Sequence, residues 1–235
     1  MILVIVLFLL VLLISLLLAY RSMRDFRLTP TKARLDYGLF LIRNPDGLTK
    51  DLLDTIHADI AKNNLIFSLE RLFRGNESAL VIFGPKNILK VFDNLNLLEL
   101  EDYTKGDSLE ISAWEVGLKN PEVVVKFDPL FENLPQLNTM EQFWWQVNCE
   151  PLRANPGENL FSAQIRCVLL TKDLSRQKKL SLELTKLGAS ILSKIPQPFT
   201  SQKILEFYKM RSITRTKHNL KLKSVEVLQL VALTH

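Results

Sequence analysis

Leu35-Asp36-Tyr37-Gly38-Leu39-Phe40-Leu41-Ile42-Arg43-Asn44-Pro45-Asp46-Gly47 is the stretch on which the fold turns. Tyr37, Leu39 and Leu41 alternate with Asp36, Gly38 and Phe40, a period of two that predicts a strand over residues 35–43. Asn44-Pro45-Asp46-Gly47 stops it: Pro presets φ, Asn and Asp bond back to nearby backbone, and Gly accepts a tight reversal. Thr49 is placed to cap a helix whose apolar face is Leu52, Leu53, Ile56 and Ile60. Residues 65–73 and 79–83 read as a hairpin around Arg74-Gly75-Asn76. Pro85 lies near the first turn of a second helix, with Ile88, Val91, Phe92 and Leu95 facing inward. Residues 97–103 are a further strand. Strand, helix, strand, strand, helix, strand over residues 35–103 is the order of a ferredoxin-like unit.

Downstream, residues 109–118 and 123–127 are short candidate strands. Residues 143–152 alternate Phe143, Trp145, Val147 and Cys149 with Trp144, Gln146, Asn148 and Glu150. The simplest reading of Trp144-Trp145 is one ring in the core and one at an interface. Asn155-Pro156-Gly157 closes a loop before another alternating run at 161–170. A long helix is expected from about 175 to 195 and a shorter one over 201–211. The expected fold class is α+β: an N-terminal single transmembrane helix, then two ferredoxin-like (βαββαβ-type) α/β-sandwich subdomains. The expected division is 1–20 anchor, 21–34 basic juxtamembrane linker, 35–106 first subdomain, and 107–235 second subdomain with basic C-terminal helices.

The anchor expectation rests on residues 2–19, eighteen in a row without a charge. As a helix they reach roughly 27 Å, against about 30 Å of bilayer hydrocarbon. Tyr20, Arg21, Arg24 and Arg27 follow, suited to a membrane interface. A cleaved signal peptide would carry its basic residues before the apolar run and small residues at its end, and Leu16-Leu17-Leu18 stands there instead. Residues 1–35 carry a net +4. By the positive-inside rule this predicts a single-pass protein of the inner or plasma membrane with its folded domain in the cytoplasm.

The 235 residues hold 30 Lys+Arg against 25 Asp+Glu, and the net +5 is unevenly spread. Residues 36–171 sum to −8 and residues 172–235 to +9. Mean hydropathy is +0.10, too apolar for a disordered chain, and a single long apolar run is not a polytopic transporter. Two Cys exclude a disulfide scaffold or thiolate zinc cluster, and Cys149 and Cys167 read as small core residues. Gly84-Pro85-Lys86 lacks the glycine spacing of a phosphate loop, and its Pro removes a donor. His57, His218 and His235 have no ligand spacing. Glu99, Glu101, Asp102 and Asp107 read as a solvated strand face. There is no Gly-x-Ser-x-Gly elbow. No catalytic, metal or cofactor site is expected, and the chain is not expected to be an enzyme. One stripe stands out: Lys172, Arg176, Lys179, Glu183 and Lys186 step by four and three beside Leu180, Leu184, Leu187, Ile191 and Ile195. With Lys209, Arg211, Arg215 and Lys217 it is a candidate surface for nucleic acid or anionic lipid, the alternative being a solvated face of a core helix.

Four segments in order carry a family likeness: Leu98-Glu99-Leu100-Glu101-Asp102-Tyr103, Phe127-Asp128-Pro129-Leu130, Glu141-Gln142-Phe143-Trp144-Trp145-Gln146-Val147, and Phe161-Ser162-Ala163-Gln164-Ile165-Arg166. Together with Ser224-Val225-Glu226-Val227-Leu228-Gln229-Leu230, the chain resembles the membrane-proximal region before the motor in type IV secretion and conjugation ATPases of the HerA/FtsK-like class. The family's nucleotide-binding motifs would follow His235. The resemblance therefore implies the non-catalytic part, either of a free-standing relative or of a truncated product. It implies a membrane-anchored cytoplasmic docking or assembly module of a translocation machine. The implied partners are the membrane and a protein, either an ATPase on another chain or a second copy, with nucleic acid as a further candidate. Two other functions stay open at this point: nucleic-acid or anionic-lipid binding through the basic C-terminal region, and a membrane-anchored hydrolase with an unrecognised site.

Overall fold

A computed structural model describes residues 2–24, 26–27, 36–104, 110–119, 130–152, 159–196, 199–214 and 219–232. The elements in chain order are α1 (Ile2–Arg24), β1 (Phe26–Arg27), β2 (Tyr37–Ile42), α2 (Lys50–Asn63), β3 (Phe67–Arg74), β4 (Glu77–Pro85), α3 (Lys86–Leu89), β5 (Leu97–Leu100), β6 (Glu110–Leu118), β7 (Gln142–Leu152), β8 (Leu160–Thr171), α4 (Leu174–Leu184), β9 (Leu192–Lys194), α5 (Ser201–Lys209), β10 (Ile213–Thr214), β11 (Leu220–Lys223) and α6 (Ser224–Gln229). Local chemistry explains the first of these. The Thr49 hydroxyl accepts from Leu52 N at 3.3 Å and starts α2. Asn64, at φ 53°, ends it in the left-handed conformation that Asn tolerates better than most residues.

Nine strands form one antiparallel sheet in the order β5-β2-β4-β3-β7-β8-β6-β9, with β11 on β8. β6 and β11 lie end to end along the same edge of β8, β6 opposite residues 165–171 and β11 opposite residues 160–163. This corrects the expected pair of ferredoxin-like subdomains. β3 pairs with β7 along its whole length, from Phe67↔Cys149 to Arg74↔Gln142. The strand that would have been a free edge of the first unit is therefore the seam of a continuous sheet. β7 and β8, buried on both faces, form its centre.

Helices cover both sides unequally. One face carries the main core, where Phe67, Leu69, Phe143, Trp145, Val147, Ile165 and Leu169 meet Leu53, Ile56 and Ile60 of α2, Leu180 and Leu184 of α4, and Val227 of α6. The opposite face carries a small cluster in which Trp144, Val168 and Leu170 meet Ile204, Leu205 and Tyr208 of α5. Both Trp rings of the pair are buried, one on each face. Cys149 and Cys167 are free thiols in the main core, and burial raises both pKa values, as inert packing residues require.

The helix expected to run to 195 stops at Leu184. Gly188 follows at φ 63°, and a Cβ there would lie 2.6 Å from a Leu130 methyl, so only glycine fits both the turn and the contact. The chain reverses and adds Leu192–Lys194 to the sheet beside β6. The candidate strand at 123–127 lies outside the described residues.

The membrane expectation is also corrected. Among the described residues no helix is long and apolar enough to cross a membrane. The described side chains of α1, Leu7 to Leu18, are all exposed. The transmembrane anchor, the single-pass topology and the inner- or plasma-membrane location with a cytoplasmic domain are therefore not carried forward. Tyr20, Arg21 and Arg24 lie on α1 and Arg27 in β1, with their side chains outside those described.

Candidate functional site

Strand register assembles a buried polar row across the sheet. Glu70 of β3 lies opposite Gln146 of β7, Gln146 opposite Arg166 of β8, and Arg166 opposite Glu115 of β6. Directly opposed residues share a face, so these four side chains form a row across the sheet. All four are buried, at 1% exposure or less. The next row toward β11 is also polar: Ser68, Asn148 and Gln164. The row on the other side is Leu72, Trp144, Val168 and Ala113, the apolar seat of α5.

The segment after α5 lies over the polar row and completes it. Glu70 accepts from Ser68 Oγ at 2.7 Å, Gln146 Nε2 at 2.9 Å, Arg211 Nε at 2.8 Å and Tyr103 OH at 2.5 Å. The Tyr103 and Tyr208 hydroxyls meet at 2.8 Å. Arg211 also reaches Asp102 at 3.2 Å and lies 4.7 Å over the Phe83 ring. At the far end Arg166 donates to Glu115 at 2.8 Å, Gln164 Oε1 at 2.7 Å, the Phe207 carbonyl at 3.2 Å and the Ser212 carbonyl. Gln164 in turn donates to Thr214 Oγ1 at 2.6 Å and accepts from its backbone N–H at 3.0 Å. Arg211 has φ 49°, a conformation that costs a non-glycine residue about 1 kcal/mol or more and persists where its surroundings over-determine it.

Electrostatics follow from burial and pairing. Burial works against the Arg211 cation, but the charge and hydrogen bond of Glu70, with Tyr103 and Asp102, together outweigh it and raise its pKa. Burial lowers the pKa of Arg166, with Glu115 in partial opposition. Burial, reinforced by the Glu70 charge, raises Tyr103 and Tyr208 well above an ordinary phenol. Burial opposes ionisation of Asp102 as well, yet Arg211 holds it below the usual carboxylate range. The Glu70 carboxylate is thus committed to four donors of the protein itself. Such an arrangement fixes residues 207–214 on the sheet.

The basic residues singled out in the sequence separate into two groups. Arg211 is 3% exposed and belongs to the buried network. Arg176 is paired with Glu141 at 3.0 Å and donates to the Gln136 carbonyl at 2.8 Å. Lys172, Lys179, Lys186 and Lys209 are exposed, as is Lys178. Arg215 and Lys217 lie outside the described residues. Leu174 and Leu182, 52% and 67% exposed, stand on α4 among these lysines. Past the end of α4, an open cleft of about 590 Å³ is lined by Leu130, Asn133, Glu183, Lys186, Leu187 and Ile191.

His57 is a packed residue: its Nε2 is 3.0 Å from the Leu160 carbonyl, and its ring meets Phe161 edge-on. Glu99 pairs with Lys86 and Lys90. Among the described residues no group of three His, Cys, Asp or Glu converges as metal ligands. Glu70, Glu115, Gln146 and Arg166 were not singled out in the sequence. Their signal was polar residues at alternate positions within long apolar strands. Comparison with known proteins finds no family model and no curated relative that matches the chain. The type IV secretion and conjugation assignment implied by the resemblance has no support there and is not carried forward.

Proposed function

We propose that this chain is a non-catalytic docking domain whose α4 face engages an acidic surface of a protein partner. The observation that carries the reading is the composition of that face. Lys172, Lys178, Lys179 and Lys186 make no ion pair with any described residue, and exposed Leu174 and Leu182 stand between them. Leu174, Lys178 and Leu182 follow one another at four-residue steps and so share one stripe of the helix. A phosphate backbone needs only positive charge. Leucines among lysines suit a surface that is itself part apolar and part acidic, as a protein interface is. Arg176, fastened to Glu141 and Gln136, holds α4 to the loop before β7, so the face is presented on a fixed support.

The test is a binding titration of the full chain with an acidic amphipathic helical peptide and, in parallel, duplex DNA, each at low and moderate salt. The reading predicts peptide binding that survives moderate salt, falls at least tenfold in Leu182→Asp, and is lost in Lys178→Glu/Lys179→Glu. DNA binding as tight as peptide binding and indifferent to Leu182→Asp would contradict it. So would robust nucleotide turnover by the purified chain.

A further inference from the structure

We infer that the sheet face opposite α5 holds a carboxylate-binding site at Arg71 and Trp145, suited to a small organic acid. Arg71 follows Glu70 in β3 and therefore points to the other face, into the main core. It is 5% exposed. Its Nε has no hydrogen-bond partner, and among the described residues it forms no ion pair. Every other buried arginine described here, Arg166 and Arg211, has a carboxylate within 2.8 Å. A guanidinium does not shed its proton at physiological pH, so Arg71 is a buried positive charge without a counter-charge. Burial lowers its pKa to about 10, in keeping with that isolation.

Three other buried side-chain N–H groups on the same side of the sheet are also unpaired among the described residues. Trp145 lies directly opposite Arg71, and its indole Nε1 has no partner. Trp114 lies beyond Cys167 in the same cross-sheet row, with its Nε1 likewise unpaired. Gln177, on the inner side of α4 with Leu180 and Leu184, has an unpaired Nε2. Among the described residues, four of the five buried side-chain polar atoms without partners are thus N–H groups on this face; the fifth, Asn148 Oδ1, is on the other. Unpaired buried donors are rare and costly. A set containing only donors is complemented by a ligand that brings acceptors and negative charge. The surroundings, Leu80, Phe73, Phe131 and Phe143, are apolar. They favour a monoanion over a phosphate dianion, whose dehydration costs more. A carboxylate also matches the planar fork of Arg71 with two parallel bonds.

The experiment follows thermal unfolding and tryptophan emission of the full chain as acetate or benzoate replaces chloride at fixed ionic strength. Expected are a saturable rise in the unfolding midpoint and a saturable change in emission with the carboxylates, and neither with added chloride. In Arg71→Met both responses vanish. In Trp145→Phe the affinity falls about tenfold. Should Arg71→Met fail to fold, Arg71→Lys serves: it keeps the charge, loses the fork, and must bind at least fivefold more weakly. A response to chloride equal to that to acetate overturns the carboxylate assignment. An unsaturable response, unchanged affinity in Arg71→Lys, or an intact response in Arg71→Met overturns the site.

Discussion

Four pairs of sequence neighbours, Glu70-Arg71, Trp145-Gln146, Arg166-Cys167 and Trp114-Glu115, divide between the two faces of one sheet and meet opposite fates. On the α5 side, Glu70, Gln146, Arg166 and Glu115 form a row in which each charge has a partner at hydrogen-bond distance. On the other side, Arg71, Trp145, Cys167 and Trp114 form a row with three unpaired donors. The same backbone ladder supports both. The difference lies in what covers them. The α5 side is covered by a segment rich in carbonyls and by Arg211, Tyr103 and Tyr208. The other side is covered mainly by leucines and aromatics, and Gln177, the polar side chain of α4 among them, has an Nε2 that is itself unpaired. Burial alone therefore does not say whether a charge holds a fold together; its cover decides.

The contrast can be broken first at the paired arginines. Arg166→Met takes the Arg166 cation away from buried Glu115 and removes the donors that hold the Phe207 and Ser212 carbonyls. Loss of one member of a buried pair costs about 3–5 kcal/mol, read by urea unfolding. A loss below about 1 kcal/mol would mean that the row does not fasten residues 207–214. Tyr103→Phe removes one donor to Glu70 and the hydroxyl facing Tyr208, for an expected loss of about 1–3 kcal/mol. If the variant is as stable as the parent, the tyrosines do not belong to the clamp.

Titration sharpens the same point from both ends of the pH scale. The Asp102 pKa is lowered in the folded protein: burial opposes ionisation, and Arg211 together with the Thr104 hydrogen bonds overcomes it. Its stabilisation is therefore present above the ordinary carboxylate pKa of about 3.9 and disappears as pH falls through the lowered native value. Tyr103 and Tyr208 are raised, by burial and then by the Glu70 charge. Their contribution is complete below about pH 10 and disappears as pH rises through the raised values. Phenolate absorbance should show this tyrosine pair ionising only together with unfolding. Smooth ionisation near pH 10 in the folded protein would show the pair to be solvated. The smallest stability effect belongs to the exposed face: Lys178→Glu and Lys179→Glu should each change unfolding free energy by less than about 0.5 kcal/mol while altering binding.

Much of this fold was legible because its signals are local. Thr49 capped α2 as its hydroxyl allows, and the apolar face Leu52, Leu53, Ile56 and Ile60 is the face that is buried. The runs around Phe143 and Phe161 became the central strands β7 and β8. What could not be read was pairing at a distance. Nothing local to Phe67 or Cys149 says that β3 and β7 join, yet that seam converts two expected subdomains into one sheet. The end of α4 was misplaced because Leu187, Ile191 and Ile195 continue a helical period through Gly188, whose positive φ breaks it. The basic stripe suffered similarly. Spacing could gather Arg176 and Arg211 with the lysines, but only the fold shows one bound to Glu141 and the other to Glu70.

The comparison of the two faces is tested most directly by equilibrium unfolding of Arg211→Met and Arg71→Met side by side, in buffer without carboxylates. Met keeps much of the arginine stem and removes its charge. Arg211→Met should lose about 3–5 kcal/mol, because it leaves the buried Glu70 carboxylate with neutral donors and no counter-charge. Arg71→Met should be at least as stable as the parent, because it removes a buried charge that nothing in the protein compensates. A large loss of stability in both variants would contradict the account.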